Sequence, residues 1–160
     1  MPQHRTSLFE NVAASVSTYV RDFLEPRGHV LRYPGLAFDA GTLAAWFELD
    51  VSPGPSRVHR QAAEGLLGAT DAAIVRLDAK ARRDANEETY RRWRMADDAF
   101  HAFPVGKDVD LRDYLAGGPP YALLGRMRVR SAQRSNPGER DGLLVARVEA
   151  RLQYSRYFAP

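Results

Sequence analysis

A chain of 160 residues with 44% apolar, 27% charged and 10% aromatic residues has one-domain length and can close a single hydrophobic core without metal or disulfide support. Its formal charge of +3 is far below that of a dedicated nucleic-acid binder, and the lack of cysteine removes disulfide frameworks, thiolate zinc sites, thiol catalysis and haem attachment. Met1 to Glu10 holds no continuous apolar run, and no later run approaches the roughly 18 apolar residues of a spanning helix, so neither signal-peptide secretion nor membrane insertion is expected.

Ser7 followed by Glu10 reads as a capping box, after which Phe9, Val12, Val16, Tyr19, Val20 and Phe23 recur at helical spacing. Residues 7–25 therefore predict an amphipathic helix, closed by Pro26 and Gly28. His29 to Tyr33 predicts a short strand. Between Leu43 and Val51, Ala45, Phe47, Leu49 and Val51 alternate with Trp46, Glu48 and Asp50, the period of a half-buried strand. On that strand Trp46 is either covered by a helix or exposed at a protein contact. Ser52-Pro53-Gly54-Pro55-Ser56 predicts a turn. Arg57 to Thr70 fits either a second hairpin arm or a short helix, so about 52–71 is an extended loop or hairpin.

Residues 72–80 predict another strand, with Ala73, Val75, Leu77 and Ala79 on one face and Ile74, Arg76, Asp78 and Lys80 on the other. Asp84 with Glu87 predicts the start of a second helix, whose apolar stripe is Tyr90, Trp93, Ala96, Phe100 and Phe103 and whose end is marked by Pro104 and Gly106. Lys107 to Asp113 predicts a short strand carrying Val109 and Leu111. Beyond the break at Gly117-Gly118-Pro119-Pro120, Leu123, Met127 and Val129 alternate with Leu124, Arg126, Arg128 and Arg130. Asn136-Pro137-Gly138 predicts the return, and Leu144 to Tyr154 then alternates apolar residues with Arg147, Glu149, Arg151 and Gln153. The fold class is α+β: one domain spanning 1–160, a mostly antiparallel sheet packed against two helices and ending in a long β-hairpin.

No motif among these elements points to catalysis. The histidines at 4, 29, 59 and 101 include no pair at the three- or four-residue spacing that puts two metal ligands on one helix face. There is no Gly-x-Ser-x-Gly elbow, and Gly65 to Gly68 and Gly117-Gly118 lack the Lys-Ser/Thr context of a phosphate loop. Asp97-Asp98 and Asp108 with Asp110 read as exposed charges. The expectation is a chain that is not an enzyme, has no cofactor or metal, and works by assembling with other proteins.

The element order carries more information: an N-terminal helix, the strand Trp46-Phe47-Glu48-Leu49-Asp50-Val51, a loop-rich hairpin, and a strand ending in Ala-Lys-Ala-Arg-Arg. A helix ending Ala99-Phe100-His101-Ala102-Phe103, the strand Val109 to Tyr114, and a terminal hairpin with Leu152-Gln153-Tyr154-Ser155-Arg156-Tyr157 follow. Over roughly residues 7–158 this order resembles the tail terminator proteins of long-tailed bacteriophages and phage-like particles. The resemblance implies a subunit of a hexameric ring that caps the tail tube, stops its elongation and joins it to the head connector. Its implied partners are further copies of itself, the tail tube protein and a connector or stopper protein. DNA would pass through the ring without sequence-specific binding. Assembly would occur in the host cytoplasm and the product would reside in the virion, at the head–tail junction. The stretch 52–71 and the Pro/Gly-rich segment before Tyr121 depart from many relatives. Two other readings compete: a head completion or connector adaptor ring, and a basic nucleic-acid-binding module.

The candidate surface is the arginine ladder. With a turn at Asn136 to Gly138, the last strand would lay Arg147, Glu149 and Arg151 beside Arg126, Arg128 and Arg130, placing Glu149 among several guanidiniums. That face is either solvated, or a ring contact, or the wall of a channel; partial neutralisation by Glu149 favours the subunit contact over tight DNA binding.

Overall fold

Val12, Val16, Val20 and Leu24 follow one another at four-residue intervals and are all fully buried, which is what one stripe of a core-facing helix requires. They lie on α1 (Arg5–Leu24) in a computed structural model that describes residues 5–60, 67–83, 90–116 and 118–158. The helix reaches back past Ser7, so Ser7 stands inside it and does not cap it as the capping-box spacing predicts. At the other end the expected stop is present. A 3-10 turn (Glu25–Arg27) carries Pro26, and Gly28, at φ +82°, returns its N–H to the Glu25 carbonyl, a left-handed conformation that suits glycine.

The strands are β1 (Leu31–Arg32), β2 (Ala45–Pro53), β3 (Arg57–Arg60), β4 (Leu67–Arg82), β5 (Asp108–Arg112), β6 (Leu123–Arg140) and β7 (Leu143–Phe158), with α2 (Arg91–His101) between β4 and β5. They form one seven-stranded sheet in the order β1-β2-β4-β7-β6-β5, and β3 also pairs with β4. Among the described residues only β1 runs parallel to its neighbour, and the other pairs are antiparallel. The architecture is the expected α+β sheet with two helices. The inward residues Phe47, Leu49, Val75, Leu77, Met127, Val129, Val148 and Leu152 form one core with the buried stripe of α1 and with Met95, Ala96 and Ala99 of α2. Among the described residues no helix is long and apolar enough to cross a membrane.

Several predicted boundaries move, each for a physical reason. Ser52 and Pro53 stay in β2, paired with Ile74 and Ala73. The chain breaks only at Gly54, whose N–H meets the Ala72 carbonyl at 2.7 Å, and a Cβ there would stand 3.0 Å from that of Ala72. The ambiguous stretch beyond is a hairpin arm, because Arg57 to Arg60 pair with Thr70 to Leu67. On α2 the core-facing residues are Met95, Ala96 and Ala99, continuing through Ala102 and Phe103, whereas Tyr90 is 70% exposed and Trp93 and Phe100 are partly buried at the margin. Small alanines let the helix axis approach the sheet, and the bulkier rings of the predicted stripe fill its flanks. The predicted cap at Asp84 and Glu87 lies outside the described residues. Trp46 is covered neither by a helix nor left exposed: it is 4% exposed beneath Phe38 of the β1–β2 connection and the Arg82 guanidinium.

The terminal hairpin turns elsewhere than predicted. β6 runs straight through Asn136-Pro137-Gly138 and returns at Asp141-Gly142, with φ of 52° and 73°. Two successive positive φ values give the turn whose twist matches paired strands. Asn136-Pro137-Gly138 instead makes a bulge between Ser135 and Gly138. There Pro137, which has no N–H to give to the ladder, is tolerated, and the Asn136 side-chain oxygen accepts the Gly138 N–H.

Two buried polar residues hold α1 in place. Ser15 Oγ accepts the Arg112 N–H at 3.0 Å, Asn11 Oδ1 accepts that of Tyr114 at 2.8 Å, and Asn11 Nδ2 donates to Asp113 Oδ1. Sequence periodicity does not single out either residue, since each interrupts an apolar helix face. Leu152 lies at the centre of the core and is fully buried. Leu152→Asp, which leaves an unpaired charge there, is expected to cost roughly 3–5 kcal/mol. Urea unfolding followed by far-UV circular dichroism checks this, and a wild-type midpoint would remove Leu152 from the core.

Candidate functional site

Strand alternation sends every second side chain to the sheet face away from the helices, and on that face charged residues of opposite sign meet across neighbouring strands. Glu48 on β2 receives Arg32 from β1 at 2.9 Å and Lys80 from β4 at 2.8 Å. Asp78 on β4 holds Arg147 on β7 through two bonds of 2.6 and 2.8 Å. Two residues along the same strands, Arg76 meets Glu149 at 3.1 Å. At the far edge Asp108 takes Arg128 through two bonds of 2.8 and 3.1 Å. Asp110 takes Arg112 at 2.8 Å and lies 3.7 Å from Arg126.

The predicted ladder is therefore split. The turn at Asp141-Gly142 lays Ser135, Gln133 and Ser131 opposite Arg147, Glu149 and Arg151, so Arg126 and Arg128 lie against β5 while Arg147 and Glu149 lie against β4. Glu149 does not stand among the β6 guanidiniums. Arg130 and Arg151 do come together, and they are joined by Arg57, around an open pocket of ≈ 380 Å³ that Thr70, Asp71, Ala72 and Gln153 also line. Arg130 Nε bonds the neutral Gln153 amide oxygen. Arg57 carried no signal in the sequence because its segment fits helix and strand equally well; only the β3–β4 pairing brings it to this face.

The ion pairs shift the affinity of these groups for protons. Burial works against the charged form of Glu48, but the hydrogen bonds and charges of Lys80 and Arg32 outweigh it and hold the carboxyl below its ordinary value of 4.5. The Arg128 guanidinium holds Asp108 below the usual carboxylate range. Bonding to Asp78 raises the Arg147 guanidinium further. Off this face, Tyr33 is pushed up to about 12 by burial and by its bond to Glu25.

Asp97, Asp98 and His29 have structural partners. Asp97 pairs with Arg134, which reaches from β6 over the Phe100 ring. Asp98 Oδ2 lies 2.7 Å from His29 Nε2, whose ring meets Phe47 edge-on. His101 is exposed. Among the described residues no group of three His, Asp or Glu side chains is placed to hold a metal ion.

Because the folded-state pKa of Glu48 lies below its unfolded value, its stabilisation is fully present above the unfolded value and is lost as pH falls through the folded one. Glu48→Gln is accordingly expected to lower stability by about 1 kcal/mol at pH 7, with the gap to wild type closing as the pH is taken well below 4.5. Urea titrations of both proteins across that range measure it; a gap independent of pH would mean that the carboxylate charge contributes nothing.

No family model matches the sequence, and no curated protein matches it. Solved structures do match. One of them superposes with a TM-score of 0.62 at 10% identity, covering 94% of this chain and 97% of its own. At that identity the likeness concerns the fold alone, and it extends over nearly the whole of both chains.

Proposed function

We propose that this chain is a structural ring subunit of the tail terminator kind, capping a tail tube, stopping its elongation and presenting a surface to the head connector. The observation that carries the reading is the division of labour between the two sheet faces. Both helices pack on one face, and the other is a broad wall of compensated charge running from Glu48 to Asp108. Strands of 16, 18 and 16 residues cross it. A wall with guanidiniums already neutralised by carboxylates lets a polyanion slide past without holding it, as a passage for DNA requires. Long strands with exposed hairpin ends supply backbone edges and side chains that neighbouring copies can cover. This arrangement agrees with the element order on which the resemblance to tail terminators rests, and it calls for no catalytic role.

Native mass spectrometry of the purified chain, followed by negative-stain imaging after mixing with tail tubes, tests the proposal. The expected result is a hexameric ring seated on the tube end and tubes that no longer elongate. A monomer at every concentration, with no attachment to tubes, would overturn it. Rings that bind portal complexes and ignore tubes would instead identify a connector adaptor. Salt-sensitive binding of naked DNA by the monomer would identify a nucleic-acid module.

A further inference from the structure

One place on the outer face gathers several guanidiniums that no ion pair holds among the described residues. Arg32, Arg76, Arg112, Arg128 and Arg147 each have a carboxylate partner. Arg57, Arg130 and Arg151 line one pocket, and among the described residues none of the three has a carboxylate hydrogen-bonded to it; Arg130 is held only by the neutral Gln153. One acid, Asp71, also lines the pocket; it is 7% exposed, and its carboxylate accepts the Ser56 hydroxyl. Three like charges gathered in a concave site repel one another, a cost that an incoming anion relieves.

We infer that the Arg57–Arg130–Arg151 pocket is a receptor for carboxylate side chains of a second protein chain. Three guanidiniums converge on this pocket, whereas Arg32, Arg76, Arg128 and Arg147 each meet a carboxylate across the strands. A polynucleotide backbone needs a continuous positive track, but an Asp or Glu side chain needs only one site of this size. The chemistry also repeats what the face does internally, where Asp78 and Asp108 each grip a guanidinium through two bonds, and such paired bonds give orientation as well as attraction. Gln153 accepts a bond from Arg130 Nε, and Thr70 lines the same pocket. The inference deepens the ring proposal by stating what chemistry a neighbouring subunit would insert, and it rests on that proposal only for the neighbour's identity.

The test uses the full chain and a fluorescein-labelled oligoglutamate peptide as the probe, with an oligoserine peptide and a thymidine oligonucleotide in parallel, read by fluorescence anisotropy at low and high salt. The oligoglutamate is expected to bind, to bind more tightly than the oligonucleotide, and to weaken with salt. Arg57→Gln and Arg151→Gln are each expected to reduce its affinity about tenfold, while Arg140→Gln, at the far end of β6, leaves it unchanged. Matching thermal melts of the variants exclude misfolding as the cause. Absence of oligoglutamate binding to the folded chain, or an equal loss in Arg140→Gln, would overturn the inference. Tighter oligonucleotide binding that disappears in the same variants would also overturn it and make the pocket a nucleic-acid contact. Peptide binding without rings would leave the pocket standing and remove the tail terminator reading.

Discussion

The β4–β7 ladder is the constraint on which the rest of the molecule depends. It pairs Leu67 with Phe158 at one end and Arg82 with Leu143 at the other without a register shift, joining strands that are far apart in sequence, so the entropy of closing that loop must be met before neighbouring contacts reward it. Once formed, the ladder sets both faces at once. Inward, Ala73, Val75, Leu77 and Ala79 stand opposite Leu152, Ala150, Val148 and Ala146, so small and large side chains interleave and α2 can bring its own alanines close. Outward, the same register delivers Asp78 to Arg147 and Arg76 to Glu149. A slip of one residue would exchange the faces, burying these charges and exposing the core.

The margins of the sheet are handled differently from its centre. At one edge β1 has only two residues, too short to offer a template to another chain. At the other edge, the backbone donors of Arg112, the last residue of β5, and of Tyr114 just beyond it are taken by Ser15 and Asn11 of α1. Those two polar residues satisfy N–H groups that would otherwise be left unpaired beneath the helix. Tyr19 adds a third tie from α1, through its hydroxyl to the Ala102 carbonyl and its ring edge to Phe103, so the two helices are fixed to each other as well as to the sheet.

Surface ion pairs individually contribute little stability, and the outer face is better understood through where its charge is cancelled than through how much energy the pairs supply. Across β1, β2, β4 and β7, and again across β6 and β5, carboxylate meets cation. Where the β3–β4 arm meets β7 and β6, three guanidiniums converge, and among the described residues none of them is hydrogen-bonded to a carboxylate. That contrast is spatial, since the three come from positions 57, 130 and 151 and only the folded sheet brings them together.

Much of the architecture was present in the sequence as periodicity. The alternation through Trp46 to Val51, through Ala73 to Lys80 and through Leu144 to Tyr154 assigned the strands and their two faces, and the spacing of Val12, Val16 and Val20 assigned the core side of α1, because side-chain direction within an element is a local property of the backbone. Partnership is not local. Asn136-Pro137-Gly138 and Asp141-Gly142 are both turn-forming sequences, and the choice between them belongs to the ladder. Only the second, with two positive φ values, brings β7 back with its apolar residues facing the core against β4 and β6 alike. That choice decided which carboxylate each arginine found, so Arg128 and Arg147, neighbours in the predicted hairpin, ended in separate ion pairs, while Arg57, silent in the sequence, joined Arg130 and Arg151 once tertiary pairing had placed β3 beside β4.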